Sequence, residues 1–253
     1  MSHVIHPLIS YDAVFSNFYD QYFGGYSEKI SPLLLKFFYS PKLKNSDRTL
    51  LDVGCGSGRL ILHFLSSGFK MIGIDNAPEM IVLTQQRCWH FWLMGQLQLI
   101  QNDMASMELN QTVDGVFSTY NSMNHLETEE KLPQCFRHVR AILKEGGFFI
   151  FDFHTLQGLQ DWNTKETAVF QEDAITIERF FDVQQGKATM HLEGHLNQDR
   201  FDTWIVNYSI PMNQLLSLLH TEGFSRVVLT RIDHLDQSVM APEQENRVVV
   251  IAS

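Results

Sequence analysis

The feature that most constrains the fold of this 253-residue chain is a repeated change from short apolar runs to segments with helical spacing. The predicted strands of this part are the apolar runs 49–53, 70–74, 97–101, 113–118 and 148–153. The predicted helices between them span residues 59–66, 78–88 and 128–143. Strands that alternate with helices in this way are typical of a doubly wound, mostly parallel sheet. The sequence therefore predicts an α/β fold.

The second half of the chain interrupts this alternation with a segment of a different kind. Residues 167–208 alternate between apolar and polar side chains and contain turn formers around Gly186. Period-two alternation between turns predicts a small antiparallel sheet of three or four strands. A helix at 211–220 and strands at 226–230 and 247–252 then resume the α/β pattern, so the antiparallel sheet is predicted to be an insertion.

The N-terminal region is predicted to form two helices ahead of the α/β domain. Its first segment, residues 11–26, carries aromatic side chains at helical spacings and includes a pair of glycines that end the helix. Ser31-Pro32 is predicted to open a second helix that runs through Phe38 and stops at Pro41. Spacings of three and four place the aromatic rings on one helix face, which fits either a core contact or a cover over a ligand site.

The composition is that of a globular protein with a large core. Hydrophobic residues make up 44% of the chain and charged residues 19%, which fits one large domain with an insertion. No apolar run approaches the roughly 20 residues of a membrane span, and residues 1–10 show no secretory signal. Cys55, Cys88 and Cys135 are odd in number and lack C-x-x-C spacing, which predicts reduced thiols in a cytoplasmic protein and no metal site.

The chain is acidic, which restricts the partners that it can bind. It has 19 Lys and Arg residues against 29 Asp and Glu residues, for a formal net charge of −10. Nucleic-acid binding draws its affinity largely from Lys and Arg side chains that neutralise phosphates, so an average surface of this chain repels nucleic acid. We expect no nucleic-acid partner, no membrane partner and a small-molecule substrate.

A glycine-rich turn follows the first predicted strand and opens the first helix of the α/β region. Gly54, Gly56 and Gly58 come directly after Asp52 and Val53. Glycines allow unusual backbone dihedrals and a close approach of a ligand to the main chain. The helix N-terminus beyond the turn offers free N–H groups and a favourable dipole to an anionic group. An isolated turn of this kind also fits a tight connection without a ligand.

Two further strand ends carry polar side chains at the same edge of the predicted sheet. Asp75 and Asn76 end the second strand, and Asp103 and Met104 follow the third. Ligands of open α/β sheets bind at the carboxyl edge, where an acidic residue can hold the hydroxyls of a ribose. Asp75 also fits a second interpretation, as the N-cap of the helix that Pro78 begins. Three polar strand ends in register favour a nucleoside-type cofactor.

The glycine pattern indicates which cofactor this is. A dinucleotide fingerprint would place its third glycine at residue 59, which is Arg59, whereas the glycine falls at Gly58. The D-x-G-x-G-x-G pattern that starts at Asp52 instead resembles motif I of the class I S-adenosylmethionine-dependent methyltransferases, and the resemblance extends across most of the chain. It implies a doubly wound, mostly parallel seven-stranded sheet whose last strand, 247–252, is antiparallel.

The resemblance also implies S-adenosyl-L-methionine as the cofactor and a set of residues around it. Asp75 is similar to the ribose-binding acid of the family, and Asp103-Met104 resembles the contact with the adenine edge. The expected cofactor contacts are Asp52, Gly54, Cys55, Gly56, Gly58, Asp75, Asn76, Met80, Asp103, Met104, Thr119, Tyr11 and Tyr26.

The segment after the fourth strand bears on the methyl acceptor. Residues 117–126 resemble the S-x-x-x-H-L segment of small-molecule N-methyltransferases, including those that act on amino sugars, and lack the N/D-P-P-Y run of DNA methyltransferases. The resemblance implies that His125 is a general base beside an acceptor amine, because its ordinary pKa suits neutral pH. The alternative is that His125 caps or packs against the helix predicted to start near Thr128. O-methylation of a small carboxylate, which needs no base, or of a hydroxyl group also stays open.

The N-terminal helix resembles the segment that covers the cofactor in small-molecule methyltransferases. This implies a helical lid at 1–45, in which Tyr19 is a second catalytic candidate, and a cofactor-binding domain at 46–166 and 209–253. The insertion, 167–208, is then either a roof over the acceptor or a contact in a homodimer. The histidines and the tryptophan of the insertion, His191, His195 and Trp204, fit a pocket wall less well than an ordinary sheet surface.

Two other classes of protein stay open at this point. An NAD-dependent oxidoreductase is disfavoured by Arg59 and by the terminal antiparallel strand. A cofactor-binding protein without transferase activity is compatible with every one of these patterns.

Overall fold

The computed structural model describes residues 11–39, 44–127, 129–161, 164–170, 173–182 and 184–253. Three sequence predictions lie outside these residues, namely the missing signal in 1–10, the helix stop at Pro41 and the helix start at Thr128. In the part of the chain that is described, no helix has the length and apolar character needed to cross a membrane.

The described elements alternate as the sequence predicts. The helices are α1 Ala13–Phe23, α2 Tyr26–Phe38, α3 Arg59–Ser66, α4 Pro78–Arg87, α5 Trp89–Leu93, α6 Lys131–Ile142, α7 Leu156–Gln160 and α8 Met212–Thr221. The strands are β1 Thr49–Val53, β2 Lys70–Asp75, β3 Leu97–Gln101, β4 Val113–Ser118, β5 Leu143–His154, β6 Lys165–Phe170, β7 Asp173–Asp182, β8 Lys187–Leu196, β9 Asp199–Tyr208, β10 Val227–Arg231, β11 His234–Ser238 and β12 Arg247–Ala252.

The central sheet has the order β11-β10-β12-β5-β4-β1-β2-β3. Strands β1 to β5 pair in parallel, whereas β12 is antiparallel to both β5 and β10. The predicted α/β fold with an antiparallel last strand is confirmed. The predicted number of seven strands is wrong, because β11 adds an eighth strand at the edge. Its side chains are mostly exposed and polar, so the apolar pattern that indicated the other strands is missing there.

The sheet is covered on both faces, and the alternation of side chains in β1 shows how. Leu50 points to a core that includes Phe38 of α2 and Phe64 of α3. Leu51 points to the opposite core, which includes Phe136 of α6 and Leu215 of α8. A strand that is buried on both faces needs apolar side chains at successive positions, as the sequence provides here.

The inserted strands β6 to β9 form a separate antiparallel sheet that packs on α1. Phe15 and Phe18 of α1 are at most 1% exposed and contact the inner face of this sheet. Phe201 is their aromatic neighbour, with ring centroids 5.2 Å from Phe15 and 5.0 Å from Phe18. These two rings of α1 are therefore core residues, as the first interpretation of the aromatic face predicts.

Helix α2 differs from its prediction. It begins at Tyr26 rather than at Ser31-Pro32, so Pro32 lies inside the helix. A proline there removes one backbone hydrogen bond, and propensity alone favours a helix start at that position. Burial of Ile30, Leu34 and Phe38 against the sheet outweighs this preference.

Candidate active site

A cavity of about 570 Å³ lies at the carboxyl ends of β1 to β4, between the sheet, α1 and the insertion. The predicted site residues that line it are Tyr11, Tyr19, Gly54, Gly56, Asp75, Asn76, Met80, Asp103, Met104 and His125. Most of the predicted residues thus lie together, as expected from their positions at the carboxyl ends of neighbouring parallel strands. The sequence did not single out several other lining residues, including Asn102, Tyr120, Ser122, Lys131, Val206 and Tyr208.

The glycine-rich turn forms the floor of the cavity. The N–H groups of Gly54 and Cys55 both donate to the carbonyl of Ile74, at 2.8 and 2.9 Å, and tie the turn to β2. Gly56 has a φ of +53° with open space where a side chain would stand, so its backbone is accessible to a ligand. At Gly58 a β-carbon would meet the Thr84 side chain at 2.5 Å, which makes this glycine a packing requirement.

Asp75 joins the floor to the end of β2. Its Oδ2 accepts the Gly56 N–H at 2.8 Å, and its Oδ1 accepts the Ala77 N–H at 3.0 Å. The N-cap of α4 is Ala77, so Asp75 supports the helix start without being its N-cap. Burial raises the pKa of Asp75, and the backbone hydrogen bonds offset only part of that effect. Each carboxylate oxygen keeps a lone pair for a further donor.

Five predicted contacts do not line the cavity, and they lie in two places. Cys55 and Gly58 belong to the glycine turn, and Asp52 lies in β1 just before it and is 2% exposed. Burial, followed by the charge of Asp75, raises the pKa of the Asp52 carboxyl well above its ordinary value. Within the described ranges, its carboxyl group has no hydrogen-bond partner. Thr119 and Tyr26 contact lining residues instead, since the Thr119 carbonyl accepts the Ser122 hydroxyl and the Tyr26 ring stacks on Tyr120.

The opposite end of the cavity contains the third predicted acid. Asp103 accepts the Ala105 N–H at 2.9 Å through Oδ1, and its Oδ2 lies 3.3 Å from the Lys131 ammonium. Met104 lines the cavity beside it, with Leu126 from the segment after β4. An acid next to two apolar side chains fits the flat, partly polar edge of a nucleobase.

A strained turn after β4 carries Tyr120 into the cavity wall. Tyr120 and Asn121 have positive φ values of 61° and 54°, which side chains other than glycine adopt uncommonly. Asp152 of β5 holds this turn, because its carboxylate accepts the Tyr120 N–H at 3.1 Å and the Asn121 N–H at 2.6 Å. Arg247 and the Tyr26 hydroxyl also contact Asp152, at 3.3 and 2.7 Å. Tyr26 therefore supports the turn from behind.

Three tyrosine rings meet over the centre of the cavity. The centroid of Tyr19 lies 5.7 Å from that of Tyr11 and 5.9 Å from that of Tyr120. Burial raises the pKa of all three phenols, so their hydroxyls stay protonated near neutral pH. Tyr11, Tyr19 and Tyr120 thus contribute neutral hydroxyl groups, and no additional charge, to this wall.

His125 lies at the junction of the β4 segment and the insertion. Its Nδ1 is 3.1 Å from the carbonyl oxygen of Val206, which can only accept a hydrogen bond. Nδ1 must therefore carry the proton, which leaves the lone pair on Nε2. Burial lowers the pKa of His125, and the ring is neutral near pH 7. The N-cap of α6 is Glu130, so His125 does not cap that helix.

The other candidate side chains of the insertion stand away from this cavity. The rings of His191 and Trp204 stack at 4.4 Å, and His191 Nε2 lies 2.8 Å from Asp202. Neither of these rings nor His195 lines the cavity. The interpretation of His191 and Trp204 as an ordinary sheet surface therefore fits the structure.

An ionic clasp that the sequence did not indicate ties α1 to the glycine turn. Asp20 accepts hydrogen bonds from Ser57 Oγ at 2.6 Å, Arg59 Nε at 2.8 Å and Arg87 Nη2 at 2.8 Å. Arg87 also donates to the Ser57 carbonyl. Burial alone would raise the pKa of Asp20, but these hydrogen bonds outweigh it and the pKa is lowered. We call Asp20, Ser57, Arg59 and Arg87 the Asp20 clasp.

The comparisons with known proteins agree with this geometry. Residues 50–147, which contain the glycine turn, Asp75 and Asp103, match a family model described as a methyltransferase domain. Residues 50–147, which are less than half of the chain, are therefore similar to a methyltransferase domain, and this match agrees with the predicted class of enzyme.

Two curated relatives carry the name methyltransferase without a stated substrate. A protein of Geobacillus sp. (strain WCH70) is 30% identical over 122 residues, which are 47% of this chain and 49% of that one. YqeM of Bacillus subtilis (strain 168) is 25% identical over 69% of this chain and 72% of its own length. The match thus spans about half of the first relative, so the acceptor of this chain has to be argued from its own site.

Solved structures show the same fold over nearly the whole chain. An S-adenosylmethionine-dependent methyltransferase from Clostridium acetobutylicum has a TM-score of 0.77 and 19% identity, covering 94% of this chain and 97% of that one. The sugar N-methyltransferase KedS8 from Streptoalloteichus sp. has a TM-score of 0.74 and 16% identity, covering 100% of this chain and 96% of its own. At this identity the likeness concerns the fold.

Proposed function

We propose that this enzyme transfers the methyl group of S-adenosylmethionine to the nitrogen of a small-molecule amine. The observation that carries this proposal is His125, whose ring is neutral, whose tautomer is fixed by Val206 and whose Nε2 keeps a lone pair at the cavity wall. A proton acceptor at this place is needed by an amine that loses a proton, and not by a carboxylate.

The floor of the cavity fits the cofactor in one orientation. Asp75 would accept the ribose hydroxyls, and the open backbone at Gly56 would face the methionine part. Asp103 and Met104 would contact the adenine edge and face. Burial raises the pKa of both Asp52 and Asp75, and the charge of Asp75 acts on Asp52; the positive charge of a nearby sulfonium would offset this unfavourable burial.

The charges along the cavity favour an amine over an acid as the acceptor. Among the described lining residues the acids are Asp75, Asp103 and Glu127, and the only Lys or Arg is Lys131. The Lys131 ammonium lies against Asp103, so it does not offer a free cation to an acceptor carboxylate. An anionic acceptor would therefore meet a wall of its own sign, whereas an amine would be attracted to it.

Relatives that act on amino sugars support the same choice. KedS8 is described as a sugar N-methyltransferase. A protein of Streptomyces venezuelae, 25% identical over 56% of this chain and 57% of its own length, is described as an N,N-dimethyltransferase of a dTDP-linked 3-amino sugar. These names make a hydroxylated amine a reasonable first acceptor to test. Tyr19 and Tyr120 offer the hydroxyl groups that such a molecule would need.

The chain's own groups would carry out three steps. The lid tyrosines and the turn at Tyr120 would exclude water and direct the amine lone pair at the methyl carbon. When bound, the cofactor would supply an electrophilic methyl group, with S-adenosylhomocysteine as the neutral thioether that remains. Nε2 of His125 would accept the proton that the nitrogen loses as the N–C bond formed and the C–S bond broke.

The proposal assigns one part of the cavity wall to the N-terminal helices and another to the insertion. Residues 1–45 would form the lid, and strand β9 of the 167–208 insertion would form the roof, because Val206 and Tyr208 line the cavity. The cofactor domain would comprise 46–166 and 209–253. The structure differs from the proposed boundaries at one point, since β6 of the antiparallel sheet begins at Lys165.

The experiment is a methyl-donor consumption screen with matched pairs of hydroxylated amines and the corresponding carboxylic acids. We expect turnover with amines only, and a loss of about 10²–10⁴-fold in kcat for His125→Ala. The wild-type rate should rise with pH through a pKa below 6.5, and the variant should lack that limb.

His234→Ala is the matched control, because His234 is 53% exposed on the edge strand β11, away from the cavity. Its kcat and pH profile should equal those of the wild type. Turnover with the acids, together with an active His125→Ala variant of unchanged pH profile, would refute the amine proposal and leave the cofactor assignment intact.

A further inference from the structure

A patch of large apolar side chains is exposed on the far side of the cofactor domain. Trp89 and Trp92 of α5 are 58% and 43% exposed, and the adjoining Leu93 and Met94 are each 65% exposed. Val82 of α4, at 49%, extends the same surface. We call these five residues the tryptophan patch. Contiguous apolar surface of this kind on a folded protein marks an interaction site.

The patch adjoins the edge of the central sheet. Strand β3 pairs with β2 on one side only, and α5 packs against it. Natural edge strands usually carry charges or prolines that prevent pairing with another chain. The opposite edge, β11, contains His234 and Asp236, whereas β3 reads Leu-Gln-Leu-Ile-Gln and contains neither a charge nor a proline. The β3 edge is therefore unprotected.

The surroundings of the patch carry almost no charge. Between residues 80 and 102 the single Asp, Glu, Lys or Arg residue is Arg87. The Arg87 guanidinium is bound in the Asp20 clasp and is thus neutralised. In a chain with a formal net charge of −10, this is a surface where two copies can approach without placing like charges against each other.

The position of the patch leaves the cavity open. Helix α4 begins at Pro78, which lines the cavity, and runs away from it toward α5. Strand β3 then returns to the cavity, where Asn102 and Asp103 follow it. The tryptophan patch therefore lies toward the amino end of β3, away from the cavity at the carboxyl ends of the strands. A protein bound there would not block the cofactor or the acceptor.

We infer that the tryptophan patch and the β3 edge form the interface of a symmetric homodimer. A two-fold axis beside β3 places this strand antiparallel to its copy, and each patch meets the same patch of the partner. Such pairing removes the unprotected edge and buries the indoles together. A second copy of this chain fits this surface, because it offers an uncharged strand that can pair with β3 and an apolar patch that can cover the tryptophan patch.

The area is adequate for a reversible dimer. A fully exposed indole side chain offers up to about 250 Å². At 58% and 43% exposure, Trp89 and Trp92 together present about 250 Å² on this scale. This is roughly a third of the 800 Å² that each partner of an ordinary interface buries. Val82, Leu93, Met94 and the β3 edge would supply the remainder.

Sedimentation velocity from about 1 to 100 μM protein tests the inference, since weak specific pairs dissociate in this range. The wild type should pass from monomer to dimer. The double variant Trp89→Glu/Trp92→Glu should raise the dissociation constant about 30-fold or more, as loss of an interface hot spot does. Gln98→Lys should weaken the dimer independently, because it places like charges together at the β3 edge.

Trp204→Glu is the matched control, since Trp204 is 38% exposed on the insertion and should leave the dimer unchanged. Binding of S-adenosylhomocysteine with wild-type affinity shows that each variant is folded. A wild type that stays monomeric throughout the range overturns the inference, even if it binds vesicles or another protein. Equal dimerisation of the double variant, or loss of the dimer in Trp204→Glu, overturns it as well.

Discussion

The Asp20 clasp allows a sharp test of how α1 is coupled to the glycine turn. Asp20→Asn keeps the size of the side chain and one carbonyl oxygen but removes the negative charge. The side chains of Asp20, Arg59 and Arg87 are 16%, 28% and 21% exposed, so solvent replaces little of what is lost. The substitution leaves two mostly buried guanidinium groups without their shared carboxylate.

The partial burial of these three side chains determines how much free energy of unfolding the variant should lose. Breaking a fully buried ion pair costs about 3–5 kcal/mol, and a neutral amide still accepts one hydrogen bond. We therefore expect Asp20→Asn to lower the free energy of unfolding by about 2–3 kcal/mol. Because Ser57 belongs to both the clasp and the glycine turn, and Arg87 donates to the Ser57 carbonyl, the dissociation constant of S-adenosylhomocysteine should rise about tenfold.

Urea denaturation and titration calorimetry with S-adenosylhomocysteine measure the two effects. Asp12→Asn is the matched control, because Asp12 is the N-cap of α1 and accepts the Phe15 N–H at 2.8 Å. Asparagine is as good an N-cap as aspartate, so this variant should stay within about 0.5 kcal/mol of the wild type. If Asp20→Asn matches Asp12→Asn in both assays, the clasp does not couple the lid to the turn.

The clasp also predicts a pH dependence of stability. The pKa of Asp20 is lowered in the folded chain, so its contribution to stability is complete above the unfolded value near 3.9. It is lost as the pH falls through the folded pKa. The stability difference between the wild type and Asp20→Asn should therefore be constant at neutral pH and shrink below about pH 4. A difference that does not decrease at all as the pH falls below about 4 would contradict this reasoning.

Two further variants test the floor and the lid separately. Asp75→Asn should weaken S-adenosylhomocysteine binding about 10–100-fold by calorimetry, because hydrogen bonds to a charged acceptor contribute about 1.5–3 kcal/mol. Unchanged affinity would remove Asp75 from the ribose site. Phe18→Ala should lower the free energy of unfolding by about 3–5 kcal/mol, because the ring is 0% exposed. Phe180→Ala, at a ring that is 49% exposed, should change it by less than about 1 kcal/mol, and equal losses would contradict the assigned core.

The sequence predicts the buried parallel strands most accurately. The bounds of β1, β3 and β4 agree with the predicted strands, and β1 and β4 are buried along most of their length. The short helix α5 and the edge strand β11 were missed. Their side chains are largely exposed, so neither has the burial periodicity on which such predictions depend.

The site is predictable where a local rule applies. Asp75 and Asp103 could be found because the carboxyl ends of parallel strands meet at one edge. Tyr120 could not be found in this way, because its positive φ depends on hydrogen bonds from its turn to Asp152 in another strand. The pairing of Asp20 with Arg59 and Arg87 joins residues 39 and 67 positions apart, and no periodic pattern of residues indicates it.

Each irregular part of the cavity wall is held by a carboxylate from a different element. Asp75 of β2 binds the glycine turn, Asp20 of α1 clasps it from the lid, and Asp152 of β5 fixes the turn that carries Tyr120. Backbone strain at such turns persists only where surrounding contacts over-determine it. The cavity can therefore take this form only after the sheet and α1 have assembled, so the geometry for methyl transfer is a property of the tertiary structure rather than of any one motif.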